Sequence, residues 1–271
     1  MNRGHDLRAL ALALTMLPLL PAHAADWSDT SVQLRQGRRF TEPNISEPIA
    51  KTVLNLTHVS GDRLGANLLL ADVLKSDGND PATGGGGGAQ EAYVIVQRTL
   101  SLPAISAQAI GAGPFKDLSL AARLDLNTKN VPFAPQVRKL RLGLEAALPV
   151  SAGFWNIGLH LYDERNHNGI VGRHVHFDRT WAASSTWAIP VGPGITFGGL
   201  LDLTGTKGRD GFGASTRPEL LARATLMFDV GSRALQAGFG YEGWRNKYGN
   251  NDGQVVGSRQ DAVMLLAQYH F

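Results

Sequence analysis

The chain has 271 residues, with 32 glycines, no cysteine and a formal net charge of +3. The lack of cysteine excludes a disulfide-stabilised scaffold, so the fold depends on its own hydrogen bonds and packing. The small charge, without a basic stripe interleaved with aromatic residues, argues against a nucleic-acid partner. No stretch beyond the N-terminal region has about 18 consecutive apolar residues, which excludes membrane-spanning helices.

The first 24 residues are predicted to form a secretory signal peptide. Arg3 and Arg8 give a positively charged start, an apolar run covers 9–20, and Ala22-His23-Ala24 has the small-x-small pattern of a cleavage site. The apolar run is too short to cross a bilayer as a helix. We therefore expect a mature chain of residues 25–271 that forms a single domain.

Twelve strand-like segments follow, separated by residues that favour turns. An even number of strands is typical of single-chain bacterial barrels. The predicted strands span 30–40, 50–59, 64–74, 91–101, 117–127, 137–149, 154–164, 173–189, 195–205, 218–229, 234–245 and 260–271.

Several of these segments alternate between apolar and polar residues. From Leu118 to Leu126, every second residue is leucine or alanine, and polar residues such as Arg123 and Asp125 lie between them. The next two segments repeat the pattern, whereas 91–101 is apolar on both faces and its sides stay unassigned. Alternation of this kind predicts strands with one apolar and one polar face.

The last segment carries the most specific pattern. Val263, Leu265, Ala267 and Tyr269 occupy alternate positions, and the chain ends on Phe271. About ten residues suffice for a tilted strand to cross a bilayer. The segment resembles the closing strand of bacterial outer-membrane barrels, whose aromatic end is recognised by the barrel-assembly machinery. The alternative is an ordinary edge strand of a soluble sandwich.

The lengths of the connections favour the barrel. Connections after odd-numbered strands are long and polar, and those after even-numbered strands are mostly tight, as in barrels with long outer loops and short periplasmic turns. A soluble sandwich has no reason to sort its loops in this way. Segment 102–116 breaks the pattern and is interpreted as an enlarged periplasmic turn or a non-spanning segment.

The sequence thus predicts an all-β protein, a 12-stranded antiparallel up-and-down transmembrane β-barrel in the bacterial outer membrane. Aromatic residues on the predicted outward faces fit the girdles found at the membrane interfaces. They are Trp155, Trp181, Trp187, Phe239, Tyr241, Tyr269 and Phe271.

The predicted inward face is charged. A basic residue facing lipid near the midplane would cost about 2–4 kcal/mol, so charges on the other face indicate a hydrated lumen. Mixed signs argue against strong ion selectivity and favour a neutral polar solute, held by hydrogen bonds and by stacking on Tyr162 or Trp244. The alternative is an internal salt-bridge network that plugs the barrel. The candidate pore-lining residues are Arg123, Asp125, Arg141, Glu145, His160, Tyr162, Glu164, Asp202, Arg223 and Glu242.

The sequence offers little support for catalysis. Barrel lipases present a histidine and a serine two residues apart on an outward face, and no such pair occurs here. His174 and His176 share a strand face and form a weak metal candidate with Asp178, although solvated histidines are commoner. The glycines from 84 to 88 lack the ending of a phosphate-binding loop. We expect no enzyme activity, metal or cofactor.

Three short motifs carry a family resemblance. They are Ser46–His58, Gly113–Asp117 (Gly-Pro-Phe-Lys-Asp) and the turn Ala188–Val191. These motifs resemble the nucleoside-specific channel-forming (Tsx-like) outer-membrane porins. The resemblance implies a monomeric twelve-stranded barrel with a narrow pore whose aromatic and ionisable residues hold nucleosides.

The functional prediction is an outer-membrane channel for facilitated diffusion of small polar solutes, with nucleosides as the leading candidates. A second interpretation is a non-conducting barrel that acts through its long loops as a surface receptor or adhesin. A third is a lipid-modifying barrel enzyme that depends on His160. No stripe suitable for subunit packing is evident, which favours a monomer in the bilayer.

Overall fold

The computed structural model describes residues 25–85, 87–106, 108, 110 and 115–271. The predicted signal peptide lies outside the described residues. Among the described residues, no helix is long and apolar enough to cross a membrane. The strands are β1 (Trp27–Phe40), β2 (Ile49–Asp62), β3 (Gly65–Ser76), β4 (Gln90–Ser101), β5 (Lys116–Lys129), β6 (Arg138–Ala147), β7 (Phe154–Asn168), β8 (Arg173–His176), β9 (Thr180–Gly192), β10 (Ile195–Thr204), β11 (Glu219–Val230), β12 (Ser232–Arg245) and β13 (Gln260–His270).

These strands form a closed antiparallel barrel of 12 strands, as predicted. Each strand pairs with its sequence neighbour, and β1 pairs with β13 to join the two ends of the chain. The short strand β8 lies outside the count because it pairs only with the outer end of β7. Closure leaves no unpaired edge, which is the requirement for a sheet in lipid.

The prediction of one continuous strand over 173–189 is wrong. The chain leaves the β-ladder between His176 and Thr180. The backbone N–H of Phe177 still donates to Glu164 O, but that of Asp178 donates to Lys207 O in another loop. The segment therefore changes its hydrogen-bond partner, which a local sequence pattern cannot show.

Connection lengths follow the predicted alternation. Strands β2 and β3 are joined by two residues, 63–64, and β9 and β10 by 193–194, whereas 205–218 and 246–259 form long loops at the opposite end. The connection after β4 contains a short helix, α1 (Leu102–Ser106). It agrees with the prediction of a non-spanning segment. Residues 113–114 of the Gly-Pro-Phe-Lys-Asp motif lie outside the described residues.

The strand register separates an apolar outside from a charged inside. Leu142, Leu161 and Trp181 lie side by side on three adjacent strands, and all three side chains are exposed on the outer wall. The predicted girdle residues lie on this face too. Strand β4, whose sides the sequence leaves open, turns Tyr93 inward because Tyr93 pairs with Asn127 on the inner face of β5.

We expect Leu161→Arg to destabilise the barrel in lipid. Leu161 is 75% exposed on the outer wall, and burying a guanidinium in hydrocarbon costs about 2–4 kcal/mol. The free energy of unfolding in lipid vesicles, from a denaturant titration, measures this loss. Val256→Arg is the control, because Val256 is exposed in the loop after β12. Equal losses in both variants would contradict a lipid-facing position for Leu161.

Candidate functional site in the barrel interior

The structure places all the predicted pore-lining residues on the inward face. The register brings several of them together in rows across adjacent strands. Arg123 of β5 lies beside Arg141 of β6, which lies beside Tyr162 of β7. On the other wall, Arg223 lies beside Glu242. These side chains therefore form one polar interior.

The centre of this interior is an ion-pair bridge between distant strands. Nη1 of Arg141 on β6 donates to both carboxylate oxygens of Asp202 on β10, each at 2.8 Å. Strands β7 and β9 lie between β6 and β10 in the wall. Arg123 donates to Asp125 at 2.7 and 2.9 Å and lies 4.0 Å from Asp202. The bridge thus crosses part of the lumen instead of following the wall.

Tyr162 is packed beneath charged groups. Its hydroxyl donates to Glu164 at 2.6 Å, and the guanidinium of Arg141 lies 5.3 Å from the ring centroid. Lys207, from the loop between β10 and β11, donates to the same carboxylate at 2.5 Å. Tyr162 is 1% exposed, so a solute cannot stack on it in this conformation. Trp244 and Tyr93 are only partly buried. Lys247 Nζ lies 4.7 Å from the centroid of the Trp244 ring and the Tyr248 ring packs against it at 5.1 Å, so Tyr93 is the better surface for stacking.

His160 lies in a small polar group with Glu145 and Ser184. Its Nε2 is 3.2 Å from the Ser184 hydroxyl and 3.8 Å from a Glu145 oxygen. A catalytic triad needs the carboxylate on Nδ1, and that nitrogen is buried with no hydrogen-bond partner among the described residues. The inward-facing ring also cannot reach lipid. The geometry therefore offers no basis for the lipid-modifying interpretation.

The opposite wall contains interior charges that the sequence reasoning missed. Arg35 donates to Asp72 at 2.6 Å, and Asn55 donates to the same carboxylate at 2.7 Å. The two residues that the sequence did predict on this wall, Arg223 and Glu242, pair at 2.5 Å. Part of the signal was present in β1, where the outward residues Val32 and Leu34 before Arg35 are apolar, although the next outward residue, Gln36, is polar. It was overlooked because glycine and arginine interrupt the pattern near the end of that strand.

Residues from three outer loops and from the outer ends of β2 and β5 meet in the mouth of the barrel and form a second group. This mouth cluster consists of Glu42, Lys51, Asp80, Lys129 and Lys247. Glu42 pairs with Lys51 and lies 3.4 Å from both Lys129 and Lys247. Lys129 also pairs with Asp80 at 2.7 Å. Sequence periodicity cannot reveal this cluster, because Glu42, Asp80 and Lys247 belong to three separate outer loops.

The lysines of the mouth cluster determine the charge state of Glu42. Burial by itself raises the pKa of this carboxyl group, but Lys247, Lys51 and Lys129 together outweigh burial and hold the pKa well below its usual range. Glu42 is thus an anion at any physiological pH. Its contacts with Lys51 of β2, Lys129 of β5 and Lys247 of the loop after β12 connect two strands and one distant loop across the mouth.

Many of the interior charges are shielded from water. Asp125 is fully buried, and Arg141, Glu164 and Glu242 are each 6% exposed or less. The sequence left open both a hydrated lumen and an internal salt-bridge network. The Arg141–Asp202 pair crosses the lumen, as members of such a network do.

The outer histidines do not form a metal site. The ring of His174 packs against His167 at a centroid distance of 4.8 Å, and His176 lies 3.4 Å from Asp163. Within the part of the chain that the structure describes, no group of three metal-ligating side chains comes together.

Solved outer-membrane barrels share this architecture. The NanC porin aligns with 88% of this chain and 98% of its own, with a TM-score of 0.50 and 10% identity. The KdgM porin aligns with 89% of this chain and 99% of its own, with a TM-score of 0.46 and 10% identity. The translocator domain of the autotransporter NalP from Neisseria meningitidis aligns with 98% of this chain and 95% of its own, with a TM-score of 0.44 and 11% identity.

No family model and no curated protein matches the sequence. At such low identity the structural likeness concerns the fold. The chain is a bacterial outer-membrane β-barrel of 12 strands.

Proposed function

We propose that this barrel is a narrow outer-membrane channel for facilitated diffusion of small polar solutes, with nucleosides as the leading candidates. The observation that carries the proposal is the contrast between the two faces of a closed barrel. The outside is apolar, and the inside presents paired guanidinium, carboxylate and phenol groups. A purely structural core would be satisfied with apolar side chains, which cost nothing to desolvate.

The charge pattern favours neutral solutes. The interior arginines Arg35, Arg123, Arg141 and Arg223 each pair with a carboxylate. A channel that selects anions needs a ring of unpaired positive charge, which this arrangement does not supply. A neutral solute can exchange hydrogen bonds with these pairs without separating the charges.

Nucleosides fit the groups that remain accessible. The hydroxyl of Tyr93 donates to Asp125 at 2.8 Å, and Nε1 of Trp244 donates to Glu219 at 2.9 Å. These hydrogen bonds hold each aromatic ring beside a buried carboxylate, so the ring face is the part of the group offered to a solute. Stacking of a base on an aromatic ring contributes about 1–3 kcal/mol. The sequence resemblance to Tsx-like porins supports the same substrate class.

The test is single-channel conductance of the refolded protein in a planar bilayer, with adenosine, uridine or thymidine titrated in. We expect small openings that nucleosides block in a saturable way, whereas ribose blocks them weakly. Tyr93→Leu should weaken the block by about tenfold or more, because a stacking surface is lost. Tyr241→Leu is the matched control, since Tyr241 faces outward.

The outcomes separate the candidate functions. Openings that nucleosides do not block would support the channel function and contradict nucleosides as its substrates. No openings, from protein shown to be folded and inserted, would overturn the channel and favour a surface receptor that acts through loops such as 77–89. Hydrolysis of a lipid substrate that His160→Ala abolishes would revive the enzyme interpretation.

A further inference from the structure

The outer wall carries a row of basic side chains above the apolar band of β6 and β7. Going outward, the paired positions on these strands are Leu142 with Leu161, then Leu140 with Asp163, then Arg138 with Arg165. Arg165 in turn lies opposite His176 of β8. Because alternate residues share a face, Arg138, Arg165 and His176 project outward on the same side as the leucines.

The two arginines of this row lack a counter-charge. Arg138 donates only to the backbone carbonyls of Val137 and Asn127, and neither arginine forms an ion pair within the described part of the chain. Like charges directly opposite each other on adjacent strands are destabilising. The neighbouring Arg179 differs, since it pairs with Asp163 at 3.0 Å. The Arg138–Arg165 pair is therefore the part of this wall whose positive charge no described carboxylate balances.

Both arginines line one groove. It has a volume of about 490 Å³ and is also lined by Gln136, Asn166 and His174. Amide and imidazole groups add hydrogen-bond donors around the two guanidinium groups. Guanidinium groups bind phosphate oxygens in a bidentate manner, so two of them facing one groove suit a phosphate monoester.

The height of the groove identifies the source of the phosphate. Trp181 lies beside Leu161 at the upper edge of the apolar band. Arg165 is four residues further along β7, which is roughly 13 Å along the strand and about 10 Å along the barrel axis for a tilted strand. That distance takes the guanidinium groups from the hydrocarbon boundary to the level of lipid headgroups. The long loops show that this end is the outer one.

We propose that Arg138 and Arg165 form a binding site for the phosphate group of a lipid headgroup in the outer leaflet. The lipid approaches from the side, its acyl chains lie against the leucines of β6 and β7, and its phosphate enters the groove. The site is separate from the lumen and does not depend on the channel function.

The test compares lipid binding by the folded, detergent-solubilised barrel with and without the two arginines. Native mass spectrometry or a thermal-shift titration with bisphosphorylated lipid A gives the affinity. We expect Arg138→Gln/Arg165→Gln to weaken binding by at least about tenfold, because charge-assisted hydrogen bonds are lost. Arg38→Gln/Arg39→Gln removes two other exposed rim charges and should have a smaller effect. Heat-modifiable migration on a gel confirms that every variant is folded.

Two further probes define the ligand. Dephosphorylated lipid A should bind the natural protein and the double variant equally weakly, and inorganic phosphate should compete poorly. Equal affinity of the natural protein and the double variant for phosphorylated lipid A would overturn the proposal. So would competition by inorganic phosphate at lipid-like concentrations, since the site would then serve a free anion.

Discussion

We expect the double variant Arg141→Ala/Asp202→Ala to show a severalfold higher single-channel conductance than the natural protein. The Arg141–Asp202 ion pair joins β6 to β10 across the lumen, and its removal leaves only two methyl groups in that space. Removing both partners avoids an unpaired buried charge. Arg141→Ala alone leaves Asp202 largely buried with Arg123 at 4.0 Å, and should lower the free energy of unfolding by about 3 kcal/mol.

A matched pair elsewhere provides the control. Arg98 donates to Asp62 at 2.9 Å at the periplasmic end of β4 and β2, on the outside of the lumen. Arg98→Ala/Asp62→Ala removes the same chemical groups and should leave the conductance unchanged. A folded Arg141→Ala/Asp202→Ala barrel with the conductance of the natural protein would show that this bridge does not limit the pore.

Glu42→Gln is the second variant with a large expected effect. Glu42 is the only carboxylate in contact with Lys51 and Lys247 within the described residues, and its loss leaves these two lysines without a carboxylate partner, whereas Lys129 keeps Asp80. Breaking a buried ion pair on one side costs about 3–5 kcal/mol. We therefore expect a lower free energy of unfolding, a wider mouth and a shift of the reversal potential toward anion preference in a salt gradient.

Glu47→Gln serves as its control, because Glu47 is an exposed carboxylate in the same loop. This variant changes the net charge by the same amount and should alter neither stability nor selectivity. If both variants shift the reversal potential equally, net charge at the rim and not the mouth cluster determines selectivity.

The same cluster predicts a pH dependence. Glu42 has a pKa below that of the unfolded chain, so its contribution to stability is fully present above an unfolded value of about 4.3. That contribution is lost as the pH falls below this value toward the folded pKa. The natural protein should thus keep its small conductance at neutral and mildly acidic pH and open only in strong acid, whereas Glu42→Gln should lack this acid transition.

The sequence by itself determined the architecture and the sidedness of the barrel. Alternation such as that from Leu118 to Leu126 is a local property, because successive side chains of a strand point to opposite faces. It assigned Arg123, Asp125 and Arg141 to the inside without knowledge of their partners. The alternation of long and short connections predicted the orientation of the barrel in the membrane, because the periplasmic turns of such barrels are short and the outer loops are long.

Only the tertiary structure decided how these residues meet. The Arg141–Asp202 bridge joins strands separated by two others, and the mouth cluster gathers Glu42 and Lys247 from loops about 200 positions apart in the chain. Such contacts depend on barrel closure and on how loops fold inward, neither of which has a local periodicity. The break before Thr180 has the same origin, because Asp178 takes its hydrogen-bond partner from a distant loop.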